Sequence, residues 1–292
     1  MIDYSPFRVM GMTDFLPEDL SDLDALLDER ARFYVPQAET EALREYQRAL
    51  DIAPRDRAAL RGVAETLHHL GRLEEALQAW QRVVAVMPNQ ADAYVRLGDV
   101  LYDLRRYEEA QTRYTRARQL APESVLAHKQ SGRALLRLAR YQEALAAFEL
   151  ASRLAPEDLL AVIGQGLALE ALGRRDEALA AYTRVLQSDP GNAHITVHAG
   201  RLLLRLRGAR PVQALARQVL DRNPHNYGAW LIRGEALMGI GSYEGALAAY
   251  EQAIQLAPND PRGYRGKSRA LACLGRHKAA DDVLQRAREL EA

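Results

Sequence analysis

The sequence contains one cysteine, very little lysine and no net charge, and each shortage excludes a class of protein. Cys273 alone cannot form a disulfide framework or a cysteine-based structural zinc site, which fits a reducing compartment. Basic and acidic residues both number 39, so no net field draws the whole molecule to nucleic acid or to an anionic membrane. Arginine supplies 36 of those 39 basic residues, a bias that suggests a GC-rich prokaryotic genome.

Long apolar runs are missing as well. No window of about 18 uninterrupted apolar residues occurs, and the N-terminus lacks a basic stretch followed by an apolar one. We therefore expect neither a membrane span nor a signal peptide, and we expect a cytoplasmic protein. The composition that is present, 48% hydrophobic and 27% charged, is typical of a folded chain with a core.

Proline reveals an internal repeat. Of twelve prolines, seven follow one another at intervals of 34 residues: Pro54, Pro88, Pro122, Pro156, Pro190, Pro224 and Pro258. Units in which this proline is position 32 occupy residues 57–90, 91–124, 125–158, 159–192, 193–226, 227–260 and 261–292. A fixed period of this length indicates an array of stacked repeats rather than two ordinary domains.

The same residue types recur at fixed positions of the repeat. Position 11 is leucine in all seven units, position 8 is always small, and position 20 is alanine in every unit except repeat five, which has Val212. Position 24 is aromatic in five units: Trp80, Tyr114, Phe148, Tyr182 and Tyr250. Small residues let two helices approach closely, and an aromatic ring fills the space beside them. Repeat five departs from this pattern, because Ala209 and Ala216 stand where bulky residues are expected. We therefore expect its hairpin to be the weakest.

Turn residues divide each unit into two helices. Position 34 offers a helix N-cap in six of the seven units: Asp56, Ser124, Asp158, Asn192, Asn226 and Asp260. Gly71, Gly173, Gly241 and Gly275 occupy position 15, where a left-handed residue can close the first helix, and the recurring proline ends the second. The pattern predicts helix–turn–helix hairpins, each with one apolar face that only a stacked neighbour can bury.

These recurring residues resemble the tetratricopeptide repeat family, whose repeat carries the same leucine, glycine, alanine, aromatic and proline positions. The resemblance covers residues 57–292 and implies an all-α fold, a right-handed α-solenoid of tandem 34-residue helix–turn–helix repeats. Residues 20–56 are predicted to form a capping hairpin that ends in a half-repeat, since Tyr46 and Pro54 fit second-helix positions. Residues 1–19 form an apolar segment that becomes acidic at its end. We expect it to dock either on the first hairpins as a cap or in the groove of a second copy.

The resemblance also implies that positions 2, 5, 9, 12 and 13 of each first helix line a concave, partner-binding groove. Together with the adjacent His198, these positions carry mainly basic and apolar residues, with one glutamate, in repeats three to seven: Lys129, Arg133, Arg137, Ile163, Leu167, His194, His198, Arg201, Arg205, Leu231, Glu235, Met238, Arg262, Arg265 and Arg269. Repeats one and two supply an acidic end: Glu65, Asp92, Asp99 and Asp103. Arginine forks bind carboxylates, and leucine and methionine accept apolar side chains. We therefore expect a protein or peptide partner with acidic and apolar residues, although a merely solvated arginine face is the competing interpretation.

Other chemistries find little support in the sequence. The family's clamp for chaperone C-termini is not reproduced, because Arg133 and Gly164 stand where it needs asparagine. His194 and His198 are four residues apart on one helix, yet the sequence places no third metal ligand beside them. Cys273 lacks an identifiable base, and no phosphate loop, nucleophile elbow or pair of carboxylates appears. We therefore predict no metal, no cofactor and no enzymatic activity.

The leading hypothesis is a non-enzymatic scaffold or adaptor that binds an extended or helical segment of a partner protein. The alternative is a self-assembling homo-oligomer that forms through the N-terminal segment. Nucleic-acid binding is disfavoured, because Tyr102 is the only aromatic residue among the groove positions and offers little surface for base stacking.

Overall fold

The computed structural model describes residues 36–291, which contain fifteen α-helices and no strand. In chain order these are α1 (Pro36–Ile52), α2 (Arg57–His69), α3 (Leu73–Val86), α4 (Ala91–Asp103), α5 (Tyr107–Leu120), α6 (Val125–Arg137), α7 (Tyr141–Leu154), α8 (Leu159–Ala171), α9 (Arg175–Ser188), α10 (Ala193–Arg207), α11 (Ala209–Arg222), α12 (Tyr227–Gly239), α13 (Tyr243–Leu256), α14 (Pro261–Cys273) and α15 (His277–Glu289). From α2 onward, even numbers are the first helices of the seven repeats and odd numbers are the second helices. The predictions for residues 1–19, and for the first helix of the capping hairpin, lie outside the described residues.

Helix ends confirm most of the predicted caps and turns. Six N-cap side chains accept a hydrogen bond from a backbone N–H in the first turn: Asp56, Ser124, Asp158, Asn192, Asn226 and Asp260. The four glycines at position 15 have φ between +71° and +77°. Arg105 and Ala139 adopt the same left-handed conformation in repeats two and three, at φ of +59° and +56°. The hairpin therefore imposes this turn even where no glycine is present to lower its cost.

Aromatic rings of the second helices lie against small residues of the first helices, as the sequence predicts. The Phe148 ring is buried between Gly132 of its own repeat and Gly164 of the next. A Cβ added to these two glycines would lie 2.8 and 2.3 Å from the ring, so only glycine permits this approach. Tyr46 lies in the same way against Gly62, which packs α1 on repeat one as the half-repeat requires.

The chain forms two compact units, the first ending at Gly173 and the second beginning at Arg174. In the first unit each helix from α1 to α8 packs on the next, around the buried rings of Trp80, Tyr114 and Phe148. In the second unit α9 to α15 pack in the same sequential way. The last helix, α15, buries only Ala280 and Ala287, and its outer positions are polar and exposed. Between residues 36 and 291, no helix has the length and apolar character needed to cross a bilayer.

Repeat five contains an unusual turn, and a side chain of repeat six fills part of its core. α10 has 15 residues where α12 has 13, and Gly208, at φ of +79°, alone separates α10 from α11. The space beside Gly200 that an aromatic residue would fill is occupied by Ile232 of repeat six, whose Cγ2 would lie 2.6 Å from a Cβ on Gly200. The expectation of a gap beside Ala216 is therefore wrong, because Ile232 of the neighbouring first helix fills the space that a bulky residue at position 216 would occupy.

We still expect the backbone amides of repeat five to exchange with deuterium sooner than those of repeat three. α11 buries three side chains and α7 buries six, and less buried area lowers the free energy of local opening. Hydrogen exchange of the intact chain, followed by mass spectrometry of peptides from α7 and α11 in one digest, measures the difference. Equal protection of the two helices would show that Ile232 compensates completely.

Candidate partner-binding surface

The predicted groove residues occupy positions 2, 5, 9, 12 and 13 of the first helices, here termed the inner positions. In the first unit the acidic end lies on α2 and α4, where arginines neutralise it. Arg61 Nη2 lies 3.3 Å from Glu65 Oε1 and 3.2 Å from Asp92 Oδ2. Arg96, which is not at an inner position, lies 3.5 Å from Asp99 Oδ2. These pairs bring the predicted acidic residues together but leave no isolated negative charge among them.

Two acidic residues make contacts inside the unit as well. Asp99 is only 2% exposed, and its Oδ1 accepts a hydrogen bond of 3.0 Å from Tyr114 Oη. Asp103 Oδ2 lies 2.7 Å from Nε2 of His68 in the preceding repeat. Because both carboxylates are engaged within the unit, this end contributes to the fold and is not an open acidic patch.

The basic residues of repeat three surround Tyr102 and the cap of α8. The Arg133 guanidinium lies 4.2 Å from the centre of the Tyr102 ring, a cation–π geometry, and this arginine is only 3% exposed. Arg137 Nε donates a hydrogen bond of 3.1 Å to Tyr102 Oη. Lys129 Nζ lies 2.6 Å from Oδ2 of Asp158, the N-cap of α8. The three cations therefore connect repeat three to both of its neighbours.

The predicted apolar patch of repeat four belongs to the core. Ile163 and Leu167 are only 2% and 8% exposed. Sequence reasoning placed them on the groove face because their positions in the repeat match those of the neighbouring arginines. A helix face that is apolar gains more from burial than from exposure to water.

In the second unit, a tyrosine joins the first helices of three repeats. Tyr227 Oη lies 3.4 Å from His194 Nε2 and accepts a hydrogen bond of 3.0 Å from Arg262 Nη2. Arg262 also forms a two-pronged contact with Asp260, the N-cap of α14, at 3.0 and 2.7 Å. His198 packs against the buried Tyr182 ring, with 5.6 Å between ring centres. Both histidines thus lie beside aromatic rings.

The inner positions of the second unit, here termed the second surface, include a half-buried ion pair beside apolar residues. Arg201 Nη2 lies 3.4 Å from Glu235 Oε1. Burial, and then the negative charge of Glu235, raise the pKa of the Tyr250 hydroxyl, so this tyrosine stays neutral. Leu231 is buried, whereas Met238 keeps part of its side chain exposed.

Three arginines at inner positions of the second unit are exposed: Arg205, Arg265 and Arg269. Of these, Arg265 lies 3.0 Å from Glu291 Oε1, and more than half of its side chain faces solvent. Among the cations predicted to bind a partner, these three are the most accessible in the described structure. They lie on α10 and α14, on either side of the half-exposed Met238.

Most contacts that involve an inner position join residues about one repeat apart. The separations are 31 for Arg61 and Asp92, 35 for His68 and Asp103, 35 for Tyr102 and Arg137, 34 for Arg201 and Glu235, and 35 for Tyr227 and Arg262. Sequence reasoning missed the roles of Tyr227 and of the cap residues Asp158 and Asp260. A search for opposite charges, or for arginine and an aromatic residue, at separations near 34 would have found several of these pairs.

The structure offers no metal site in its described part. Within residues 36–291, no group of three or more His, Cys, Asp or Glu side chains is placed to hold a metal ion. Cys273 is a free, exposed thiol on α14.

Sequence profiles for the tetratricopeptide repeat match almost the whole repeat array. One profile matches residues 55–123. A second matches residues 95–158, 163–209, 199–261 and 237–291. Taken together, the matches cover well over half of the chain. No curated protein matches the sequence.

Solved structures with a similar fold include several tetratricopeptide repeat proteins. A repeat protein from Parabacteroides merdae has a TM-score of 0.58 and 15% identity, over 92% of this chain and 95% of that one. Yeast Tom70 has a TM-score of 0.62 and 14% identity, over 87% of this chain and 55% of that one. MamA from Desulfovibrio magneticus has a TM-score of 0.53 and 22% identity, over 56% of this chain and 93% of that one. These similarities concern the fold alone.

Proposed function

Because the chain belongs to the tetratricopeptide repeat family, we propose that it is a non-enzymatic scaffold that binds a segment of a partner protein along its inner positions. The family is generally one of protein-interaction folds, and no motif for catalysis stands against this assignment. The finer part of the proposal concerns which inner positions make the contact and what chemistry they recognise.

The accessible arginines of the second unit carry the proposal. In the first unit Lys129, Arg133 and Arg137 are occupied by Asp158 and Tyr102, and they have little accessible surface to offer a partner. In the second unit Arg265 and Arg269 are exposed. Guanidinium groups in such positions bind carboxylates through paired hydrogen bonds, and their exposure spares the partner a large desolvation cost.

The chemistry of the partner follows from these side chains. Acidic residues would pair with Arg205, Arg265 and Arg269, while Met238 adapts its flexible thioether to an apolar side chain. We propose a cytoplasmic protein partner with an acidic and apolar segment. Self-association through residues 1–19 remains the alternative occupant of this surface.

Nucleic acid fits this surface less well than protein does. Base stacking requires accessible aromatic rings, and the ring of Tyr102 is buried beneath Arg133. Tyr227, the aromatic residue of the second surface, is engaged with His194 and Arg262.

Reversing two charges tests the proposal. We expect the double variant Arg265→Glu, Arg269→Glu to retain a specific partner from the native host at least about tenfold less than the wild-type chain, since like charges replace attractive pairs. The measurement is quantitative mass spectrometry of proteins retained with and without nuclease. Its matched control is Arg153→Glu, Arg222→Glu, which reverses two exposed arginines on second helices.

The outcome separates the competing interpretations. Equal retention by both double variants would assign Arg265 and Arg269 to a solvated face. Capture that disappears with nuclease in the wild-type chain would instead favour nucleic acid.

A further inference from the structure

The seam between repeats two and three is polar at two positions that are aliphatic in most second helices. Positions 21 and 28 of the second helices carry large aliphatic residues in most repeats: Leu77, Leu145, Leu179 and Leu247 at the first, and Val84, Leu186, Leu220 and Ile254 at the second. In α5 the same positions carry Gln111 and Arg118. Polar residues at packing positions lower stability unless hydrogen bonds compensate for their burial.

These residues form a hydrogen-bonded chain with the next helix. Arg118 Nη1 donates to Ser131 Oγ at 3.2 Å, and Ser131 Oγ donates to Gln111 Oε1 at 3.1 Å. Ser131 is fully buried. Burial lowers the pKa of the neighbouring His128, the charge of Arg118 lowers it further, and the Pro122 carbonyl opposes both effects. His128 is therefore neutral, and its Nε2 donates to that carbonyl at 2.8 Å.

Several buried atoms of this seam lack a hydrogen-bond partner among the described residues. They are Arg113 Nε, Arg118 Nε and His128 Nδ1. Buried polar atoms without partners are uncommon in folded proteins, and three in one seam call for an explanation. The two Nε atoms are donors on cationic side chains, so the missing acceptor is an anion or a strongly polar oxygen.

A cavity of about 850 Å³ opens beside these side chains, between α5 and the start of α7. Arg113, Arg116 and Arg118 line it together with Glu108. After the hydrogen bond from Arg106, the charge of Arg113 helps to lower the pKa of Glu109, and Arg116 Nη1 donates to Gln119 Oε1 at 3.3 Å. Arg140 at its edge is already paired with Glu143, at 2.7 Å. Cavities of this size accept ligands larger than a single ion.

We propose that this cavity, the α5 pocket, binds an acidic segment of a partner protein through Arg113, Arg116 and Arg118. The proposal rests on the protein-binding function proposed above and adds a second, separate contact surface. Arg113 and Arg118 are five positions apart on α5, which is an axial rise of about 7.5 Å. Carboxylates two residues apart in an extended peptide are about 6.6 Å apart, so two of them match this spread of positive charge. The oxygens of a single phosphate group are too close together to do so.

A short acidic peptide tests the pocket directly. The probe is a fluorescein-labelled, end-blocked peptide of three Ala-Glu repeats, and its binding to the full chain is followed by fluorescence anisotropy. We expect the triple variant Arg113→Gln, Arg116→Gln, Arg118→Gln to weaken binding at least about tenfold. The control triple variant Arg82→Gln, Arg153→Gln, Arg222→Gln, which changes exposed arginines elsewhere, should alter binding less than about twofold.

Three results would overturn the proposal. The first is no binding of the probe to the wild-type chain, and the second is equal weakening by the two triple variants. The third is displacement of the probe by inorganic pyrophosphate at concentrations below the probe's own dissociation constant, which would assign the pocket to phosphate. The variant Arg265→Glu, Arg269→Glu should bind the probe as the wild-type chain does, so failure of the pocket can be distinguished from failure of the surface on α14.

A second variant tests the proposal even if the triple arginine variant fails to fold. Gln111→Leu, Arg118→Leu, Ser131→Ala gives the seam the apolar character of the other repeats and removes all three partners of the polar chain together. We expect a higher unfolding midpoint and weaker binding of the probe, because replacing a whole polar network avoids orphaned groups. A lower midpoint with unchanged binding would show that the polar seam only supports the fold, and would overturn the proposal.

Discussion

Replacing Gly228 with alanine should destabilise the second unit by about 3 kcal/mol, the upper range for overpacked sites. A Cβ at this position of α12 would lie 2.2 Å from the backbone carbonyl oxygen of Ala193 in α10. A backbone carbonyl cannot rotate away as a side chain can, so the two helices must separate. Urea unfolding followed by the fluorescence of Trp230 measures the change, in a Trp80→Phe background that leaves Trp230 as the single tryptophan.

The matched control is the same substitution at the other end of the same helix. A Cβ added to Gly239 would meet no atom within 4 Å. Alanine favours a helix over glycine by up to about 1 kcal/mol, so Gly239→Ala should leave the second unit unchanged or slightly more stable. Similar destabilisation by both substitutions would show that the contact between α10 and α12 is not the cause.

The repeat architecture could be predicted because the same pattern of residues recurs in seven consecutive units of the sequence. Each hairpin is specified locally by its cap, its left-handed turn and its terminal proline, and these signals act within a few residues of chain. The aromatic and glycine pairs extend the prediction to packing, since Phe148 fits only where Gly132 and Gly164 leave room. Agreement between local signals and packing is what a single well-defined fold requires.

The chemistry of the inner positions could not be predicted with the same success. Helical periodicity predicts on which side of a helix a residue lies, but it does not predict how closely the next repeat approaches that side. Arg133 illustrates the difference, because its predicted solvent-facing position becomes a buried contact once Tyr102 of the preceding repeat is in place. The α5 pocket had a visible signal, since Gln111 and Arg118 are polar at positions that are aliphatic in most repeats, but its meaning depends on which atoms lack partners.

Replacing Ile232 of repeat six with a small residue and Ala216 of repeat five with a large one should change the free energy of unfolding in a strongly non-additive way. Ala216→Phe alone should destabilise the second unit by about 2 kcal/mol, because its ring competes with Ile232 for the space beside Gly200. Ile232→Gly alone should cost about 4 kcal/mol, since it leaves a cavity and puts glycine inside a helix. The double variant recreates the arrangement of Tyr250, which lies between Gly234 and Gly266. We therefore expect it to be destabilised by about 3 kcal/mol, half the sum of the two single effects, which corresponds to a coupling energy of about 3 kcal/mol between the two sites.

A distant pair shows whether that coupling is specific. Leu271 is buried in repeat seven, and a whole repeat separates it from Ala216. The effects of Leu271→Ala and Ala216→Phe should therefore add, to within about 0.5 kcal/mol. Additivity of Ala216→Phe with Ile232→Gly, on the same Trp230 measurement, would mean that the two side chains do not share one space. Coupling confined to that pair would instead show that the fold requires a fixed total side-chain volume beside Gly200. Either helix could then supply that volume, through residue 216 or through residue 232.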